Sequence, residues 1–206
     1  MVGGAAIGDD GIPRCPWSTT TAEYRRYHDR EWGRPLGDEN RVFEKLCLEG
    51  FQGGLSWLTI LRKREAFRRA FAFFDPAAVA GFEEEDVRRL LADAAIVRNR
   101  AKIEATIANA RATVRLREQG TNLAALLWRH EPRGPSVPPR ATGDLPALTA
   151  ESRALSAELR RHGFSFVGPT TVYAAMQALG VVNDHLEDCR FRAVALEERA
   201  RFEPPV

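Results

Sequence analysis

Two cysteines and two histidines lie in pairs near opposite ends of this 206-residue sequence. Cys15 and His28 form the first pair, and His185 and Cys189 form the second. Thiolates and imidazoles are ligands that Zn²⁺ prefers, and a Cys₂His₂ set suits a tetrahedral structural site. Such a metal would join two distant parts of a domain rather than fold a small finger. Catalytic or isolated roles for the four residues are the alternatives on spacing alone.

The composition of the chain is that of an ordinary globular protein. Hydrophobic residues make up 44% of the sequence and charged residues 28%, which is enough for one domain or two tightly joined lobes. The net charge of +2 excludes a polycation. Lysine occurs at three positions and the other basic residues are arginine, which favours bidentate phosphate contacts. No secretion signal or membrane span is recognisable, so we expect a soluble, cytoplasmic protein with reduced thiols.

Helical periodicity predicts an all-α fold that must bring the two Cys/His pairs together. We expect a disordered lead-in over residues 1–13, a domain of two helical lobes around one cleft over 14–190, and a tail over 191–206. The residues after Cys189 are rich in arginine and glutamate and are predicted to form either a short helix or a tail. Residues 129–148 contain five prolines and are predicted to form an extended loop. Capping residues predict helix starts, and glycines predict helix ends. The starts are Asp38, Asp75-Pro76, Thr149 and Pro169, and the ends are Gly50, Gly163 and Gly180.

A carboxylate and several aromatic residues form a second group with chemical potential. In LCLEGFQGGLSW (46–57), Glu49 ends an apolar helix beside a glycine-rich turn that leads to Trp57. A carboxylate in apolar surroundings can accept hydrogen bonds or share a proton, and an indole offers a stacking surface to a planar ligand. The alternative is a solvated helix end and a core tryptophan. Four further aromatic residues crowd a polar segment nearby in the sequence: Trp17, Tyr24, Tyr27 and Trp32.

Residues 163–185 read GFSFVGPTTVYAAMQALGVVNDH. A helix predicted to end at Gly163 is followed by a short apolar hairpin, and Gly168-Pro169 opens the next helix. Such a helix start presents backbone N–H groups that can bind phosphate. The pattern resembles the helix-hairpin-helix element of base-excision DNA glycosylases, although an ordinary corner between two helices shows the same pattern.

Five motifs together resemble the DNA-3-methyladenine glycosylase I family in order and spacing. They are RCPW (14–17), YHDREWG (27–33), LCLEGFQGGLSW (46–57), DAAIVRNRAKI (93–103) and GFSFVGPTTVYAAMQALGVVNDH (163–185). The resemblance covers nearly everything from Arg14 to Cys189. It implies a helix-hairpin-helix enzyme that removes 3-methyladenine from alkylated double-stranded DNA and releases the free base. Phe51 and Gly53 depart from the residues that other members often carry.

The resemblance also implies roles for individual residues. Glu49 would be the catalytic carboxylate that contacts the extruded base, and Trp57 would stack on that base. The pocket would be lined or supported by Trp17, Tyr24, Tyr27 and Trp32. The DNA would be contacted by Gly54 and Leu55 in the gap left in the duplex, and by Gly168, Thr170 and Thr171 along the backbone. A structural Zn²⁺ would be held by Cys15, His28, His185 and Cys189.

The chemistry expected of such an enzyme depends mainly on binding and electrostatics. The alkylated base is cationic in DNA, so its glycosidic bond is already weakened, and Glu49 would favour that charge. Asp184 is the candidate for a general base, or alternatively a support for the His185 ligand. No lysine follows Lys102, so we expect a monofunctional glycosylase without lyase activity. We also expect the protein to be a monomer. The alternatives are a non-catalytic DNA-binding module and a glycosylase with a broader alkylpurine range.

Overall fold

A computed structural model describes residues 4–134 and 137–206 of the chain. Over these residues it contains ten α-helices and one two-stranded sheet, so the helical prediction is confirmed except for that sheet. The strands are β1 (Ala6–Ile7) and β2 (Pro13–Arg14). The helices are α1 (Ala22–Arg30), α2 (Glu39–Gln52), α3 (Trp57–Ala70), α4 (Pro76–Ala80), α5 (Glu84–Ala92), α6 (Arg100–Glu118), α7 (Leu123–Trp128), α8 (Ala150–Arg161), α9 (Pro169–Ala178) and α10 (Arg190–Arg201).

The predicted helix starts agree with the capping contacts. The side chains of Asp38 and Thr149 accept hydrogen bonds from backbone N–H groups in the first turns of α2 and α8. Such bonds satisfy donors that a helix leaves unpaired at its N-terminus. The predicted end of α2 at Gly50 is wrong, because the helix continues to Gln52. Gly50 faces Phe166 of the hairpin, and a Cβ atom at Gly50 would lie in ordinary van der Waals contact with the Cβ atom of Phe166, at 3.4 Å.

Helix α2 lies at the centre of the molecule and is buried over most of its length. It packs against α3, α6, α7 and α9. Its apolar side chains enter the main core, among them Val42, Phe43, Leu46, Cys47, Leu48 and Phe51. Cys47 is a buried core residue, as its position on the apolar face predicted. Because α2 is fixed on several sides, a polar side chain on its remaining face has a well-defined position.

The N-terminal segment differs from its prediction. Residues 1–3 lie outside the part of the chain that the structure describes, but residues 4–13 are not a disordered lead-in. Ala6 pairs with Arg14 and Ile7 pairs with Pro13 in an antiparallel ribbon. The Arg14 guanidinium also contacts the carboxylates of Asp10 and Asp29 at 2.8 and 2.9 Å. The pair with Asp10 closes the ribbon's own turn, and the pair with Asp29 attaches the ribbon to α1.

The predicted proline-rich loop contains more structure than expected, and the C-terminal segment forms the helix that was one of its two predicted alternatives. Pro135 and Ser136 of the loop lie outside the described residues, and 142–144 form one turn of 3-10 helix. Residues 191–206 are mainly helix α10, which begins at Arg190. After this helix, the ring of Phe202 lies 4.7 Å from that of Trp128. The predicted boundary at residue 190 therefore falls at a helix start.

The two ends of the chain meet in a second, smaller apolar cluster. It contains Cys15, Tyr27, Trp32, Ala178, Leu186 and Cys189. Backbone hydrogen bonds from Gly33 to Gln177 and from Leu36 to Leu179 support the junction. The Cys/His pairs and the aromatic segment thus share one region of the fold. In the described ranges, no helix combines the length and apolar character needed to cross a membrane.

Candidate metal centre and aromatic pocket

The structure brings all four predicted metal ligands together in a buried cluster. The donor atoms of Cys15, His28, His185 and Cys189 all lie within 4.8 Å of one another. Nδ1 of His185 is 3.1 Å from Nε2 of His28, and both nitrogens are 3.5 Å from Sγ of Cys189. Sγ of Cys15 is 3.8 Å from Nδ1 of His185.

These distances can be compared with the edges of a coordination tetrahedron. Zinc–nitrogen bonds of about 2.0–2.1 Å and zinc–sulfur bonds of about 2.3 Å give edges of about 3.3 Å between nitrogens and about 3.6 Å between nitrogen and sulfur. The separations in the cluster lie close to both values. A mixed thiolate and imidazole donor set also suits zinc better than calcium or magnesium, which prefer oxygen. The four residues therefore fit a structural zinc with no position left for water.

Both histidines are oriented by hydrogen bonds on the ring nitrogen that faces away from the cluster. Nδ1 of His28 is 2.8 Å from the carboxylate of Asp29, and Nε2 of His185 is 3.2 Å from the carbonyl oxygen of Trp32. Such contacts fix the tautomer that leaves the other nitrogen free for a metal. Burial lowers the pKa of His185, which favours the neutral ring. Gly33 permits this packing, because its φ is +76° and a Cβ atom there would lie 2.9 Å from His185 Nε2.

The alternative role of Asp184 as a support for the His185 ring is wrong. Its carboxylate instead accepts hydrogen bonds from the Tyr173 hydroxyl at 2.5 Å and from the Gln177 amide at 2.7 Å. Asp29, which follows His28 directly, is the carboxylate that supports a histidine. The motif YHDREWG contains this residue, and a carboxylate next to a ligand histidine was the signal that could have identified it.

A cavity of about 320 Å³ lies beside the cluster formed by Cys15, His28, His185 and Cys189. The predicted pocket residues Glu49, Trp57, Trp17, Tyr24, Tyr27 and Trp32 all line it. The structure adds Gln52, Leu145, Ala174 and Gln177 to this lining. Gln52 lies within a quoted motif, and Gln177 faces the pocket from α9. Leu145 comes from the proline-rich loop, where no periodicity could have indicated its direction.

Helix α1, which the sequence pattern did not predict, carries the aromatic wall. Thr21 caps the helix, and buried Tyr27 and His28 are neighbours on it, so one helix serves both the pocket and the metal cluster. The Tyr24 hydroxyl accepts a hydrogen bond of 2.9 Å from the backbone N–H of Leu58, at the start of α3. The rings of Tyr27 and Trp57 lie 5.5 Å apart. On this short polar helix, Tyr27 faces the pocket and the neighbouring His28 faces the Cys/His cluster.

Glu49 is the buried carboxylate of this pocket. Its side chain is 6% exposed and lies at the end of α2 among aromatic rings. Burial raises the pKa of Glu49 to about 8, and the positive charge of Lys45 acts against that rise. A carboxylate with a raised pKa in a cleft is typical of a functional site. The expectation of apolar surroundings for Glu49 is thus confirmed, and the alternative of a solvated helix end is wrong.

The turn between α2 and α3 is exposed and held from one side. Gly54 has a φ of +82°, and Leu55 is 42% exposed. Nζ of Lys102 donates hydrogen bonds to the carbonyl oxygens of Phe51, at 2.8 Å, and Gly53, at 2.5 Å. A cation at the end of α2 also interacts favourably with the helix dipole. The lysine therefore fixes an apolar side chain that points away from the core.

The predicted helix-hairpin-helix segment consists of α8, residues 162–168 and α9. The side chain of Asn109 holds the hairpin, because it accepts from the N–H of Ser165 at 2.7 Å and donates to its carbonyl oxygen at 3.1 Å. Gly168 is the N-cap of α9, and Pro169 occupies its first turn. Thr170 is exposed and Thr171 is half-buried. The helix start is thus open to a ligand on the surface.

Comparison with solved structures gives the class of this fold. A crystal structure of 3-methyladenine DNA glycosylase I superposes with a TM-score of 0.83 at 44% sequence identity, and the match covers 86% of this chain and 98% of that one. A structure of the Staphylococcus aureus 3-methyladenine DNA glycosylase I, described in terms of 3-methyladenine recognition, has a TM-score of 0.82 at 34% identity and covers 87% and 96%. The fold is therefore that of a helical DNA glycosylase.

The sequence comparisons give the family. The family model described as methyladenine glycosylase matches residues 17–193. DNA-3-methyladenine glycosylase 1 of Escherichia coli is 46% identical over 179 residues, which are 86% of this chain and 96% of that protein. This chain belongs to the methyladenine glycosylase family.

Proposed function

We propose that this protein is a DNA-3-methyladenine glycosylase that hydrolyses the N-glycosidic bond of 3-methyladenine in alkylated double-stranded DNA. The observation that carries the proposal is the buried carboxylate of Glu49 in a cavity walled by tyrosine and tryptophan rings. A pocket of about 300 Å³ lies at the lower end of the range for small-molecule ligands. Family membership supports the same reaction and the same damaged base.

The reaction begins with extrusion of the damaged nucleotide from the duplex. Unstacking costs a few kcal/mol and costs least for a damaged base, so the damage itself contributes to selection. Leu55, exposed on the turn held by Lys102, enters the gap beside Gly54. The backbone N–H groups at the start of α9, with Gly168, Thr170 and Thr171, bind the DNA phosphates. The protein acts as a monomer in the cytoplasm.

The pocket then distinguishes a cationic base from a neutral one. Tyr27 and Trp57 provide π faces that attract a cation and stack on a purine. Glu49 is the catalytic residue, and its carboxylate lowers the energy of the positive charge on the base and on the sugar during bond cleavage. Trp17, Tyr24 and Trp32 complete the walls. Because the leaving base is already cationic, it needs little protonation.

Water attacks the sugar once the bond begins to break. Asp184 is not assigned as the general base, because Tyr173 and Gln177 both donate hydrogen bonds to its carboxylate. Those contacts instead orient Gln177, which lines the cavity. The reaction is monofunctional. Lys45 lies behind Tyr27, and no lysine of the described residues lines the cavity, in keeping with a reaction that forms no Schiff base with the sugar.

Cys15, His28, His185 and Cys189 hold a structural Zn²⁺ in this proposal. A metal at this site supplies a cross-link between α1 and the segment that precedes α10, and no catalytic chemistry. The aromatic wall depends on this link, since the ring of Trp17 lies 5.3 Å from that of His28 and 5.2 Å from that of Trp32. The domain proposed for residues 14–190 contains all of these groups.

One assay tests the activity. Methylated duplex DNA is incubated with the protein, and the released bases are separated and identified. We expect release of 3-methyladenine that Glu49→Gln reduces by about 10²–10³. Release of other alkylpurines at comparable rates would indicate the broader glycosylase. Salt-dependent duplex binding without any base release would indicate a non-catalytic DNA-binding module. Reduction with borohydride should trap no covalent complex.

A further inference from the structure

A buried lysine lies directly behind the aromatic wall of the pocket. The side chain of Lys45 is 5% exposed, and its Nζ atom is 4.4 Å from the centre of the Tyr27 ring. The same atom donates a hydrogen bond to the Tyr27 hydroxyl at 3.3 Å. Lys45 precedes Glu49 by four positions on α2, so the two side chains are neighbours on one face of the helix. Lys45 itself does not line the cavity.

The other charged groups around Lys45 are already paired. Glu31, which follows α1, is 3.7 Å from Lys45 Nζ, but it receives two closer hydrogen bonds from Arg64 of α3, at 2.5 and 2.9 Å. Glu44, on α2, pairs with Arg68 of α3 at 2.9 Å. Lys45 is the charged group that favours the ionised form of Glu49. Glu31 and Glu44 therefore each have an arginine partner, whereas Lys45 acts on Glu49 as a nearby charge and not as an ion-pair partner.

We propose that Lys45 is a positioning residue whose buried ammonium group keeps the carboxylate of Glu49 available in its charged form to the cationic base. This inference rests on the proposed function. A carboxylate enclosed by aromatic rings is costly to ionise unless an opposite charge lies nearby. A neutral Glu49 would lose the charge attraction that selects the alkylated purine. Lys45 provides the compensating charge without occupying space in the cavity.

Glu49 and Lys45 both change protonation state slightly above neutral pH. Burial raises the pKa of Glu49 to about 8, and burial lowers the pKa of Lys45 to about 8. Removal of the Lys45 charge leaves burial as the dominant influence on Glu49, so its pKa rises further. A variant without the Lys45 charge should therefore excise the base more slowly at neutral pH, and its rate should return to that of the unaltered protein at a higher pH. A purely structural contribution from Lys45 would instead lower the rate by the same factor at every pH.

The experiment measures release of 3-methyladenine from methylated duplex DNA under single-turnover conditions, from about pH 6 to about pH 9.5. The variants are Lys45→Met, which removes the charge at similar length, Lys45→Gln, which keeps a hydrogen-bond donor, and Lys45→Arg, which keeps the charge. Lys63→Met is the matched control, because Nζ of Lys63 binds the carbonyl oxygens of Ala94 and Ala95. Thermal unfolding confirms that each variant is folded.

We expect the rate of base release to rise with pH to a plateau. The midpoint of this rise should lie about one pH unit higher in Lys45→Met and Lys45→Gln than in the unaltered protein, and the rate near pH 7 should fall about tenfold. Lys45→Arg and Lys63→Met should keep the midpoint of the unaltered protein. In a Glu49→Gln background, Lys45→Gln should produce no shift. An unchanged midpoint in Lys45→Gln, whether or not the rate falls, would overturn the role of Lys45. Absence of base release by the unaltered protein at every pH would instead overturn the proposed function.

Discussion

His28 and Asp29 are adjacent in the sequence, and their side chains are hydrogen-bonded to each other, with Nδ1 and Oδ1 2.8 Å apart. The contact fixes the imidazole so that its Nε2 atom faces the sulfur of Cys189. The Asp29 carboxylate also accepts a hydrogen bond from the Arg14 guanidinium. A single carboxylate thus connects the N-terminal ribbon, helix α1 and the metal cluster.

We expect Asp29→Asn to weaken zinc binding by about 10–100-fold while leaving one metal per chain at saturating zinc. An amide cannot stabilise the ring tautomer as a carboxylate does, so the ligand becomes less basic. The measurement is competition for the metal with a chromogenic chelator. Asp10→Asn is the control, because Asp10 shares Arg14 with Asp29 but does not contact His28. Equal losses in the two variants would show that the ribbon, not the imidazole, determines affinity.

Glu49 should make the protein less stable at alkaline pH. The folded-state pKa of Glu49 is raised from 4.5 to about 8, so the protonated carboxyl favours folding below about pH 4.5, and this contribution is lost as the pH rises through about 8. Glutamine resembles the protonated form at every pH. We therefore expect Glu49→Gln to have a larger free energy of unfolding than the unaltered protein above pH 8, by about 5 kcal/mol. Denaturant titrations at acid and alkaline pH measure the difference, which should vanish in acid.

The turn that carries Leu55 should affect duplex DNA without affecting the pocket. We expect Leu55→Ala and Lys102→Met to reduce excision from duplex DNA about tenfold or more, because the extruded state loses the group that fills the gap. Affinity for free 3-methyladenine, measured by quenching of tryptophan fluorescence, should stay unchanged. Lys63→Met serves as the control for Lys102→Met, since both lysines donate to backbone carbonyl oxygens. A parallel loss of free-base affinity would contradict a role in extrusion.

Asp184 should affect the shape of the pocket more than proton transfer. We expect Asp184→Asn to reduce excision modestly, by about tenfold. The asparagine amide can still accept hydrogen bonds from Tyr173 and Gln177, but it accepts them less strongly than a carboxylate does. Zinc content should stay at one equivalent, since Asp184 does not contact the metal cluster. A loss of excision as large as that of Glu49→Gln, with zinc retained, would show that Asp184 is the general base and would contradict the binding-centred mechanism.

The sequence predicted local features well and spatial relations less well. Asp38 and Thr149 cap helices as predicted because their short polar side chains bond to nearby backbone atoms. The motifs also contained the four Cys/His residues that the structure brings together and the aromatic residues that line the cavity. Leu145 and Lys45 were missed for different reasons. The direction of Leu145 depends on a loop that packs against distant residues, and the role of Lys45 depends on Tyr27, which reaches it from another helix.

Helix α1 was missed for a related reason. A period of 3.6 residues is visible when one face of a helix is apolar. Helix α1 is only nine residues long and mostly polar, so few apolar side chains mark its buried face, and the buried Tyr27 and His28 face the pocket and the Cys/His cluster. The residue types that give this segment its chemistry are the ones that hide its secondary structure.

The meeting of the two chain ends also determines when this protein becomes competent during its synthesis. The aromatic wall with Trp17 and Tyr27 is translated well before its packing partners Ala178, Leu186 and Cys189. A nascent chain therefore exposes its aromatic segment until α9 and the segment that follows it have left the ribosome. Closure over so many intervening residues is slow compared with the formation of local helices. The ability to search for a damaged base thus arises in one late step.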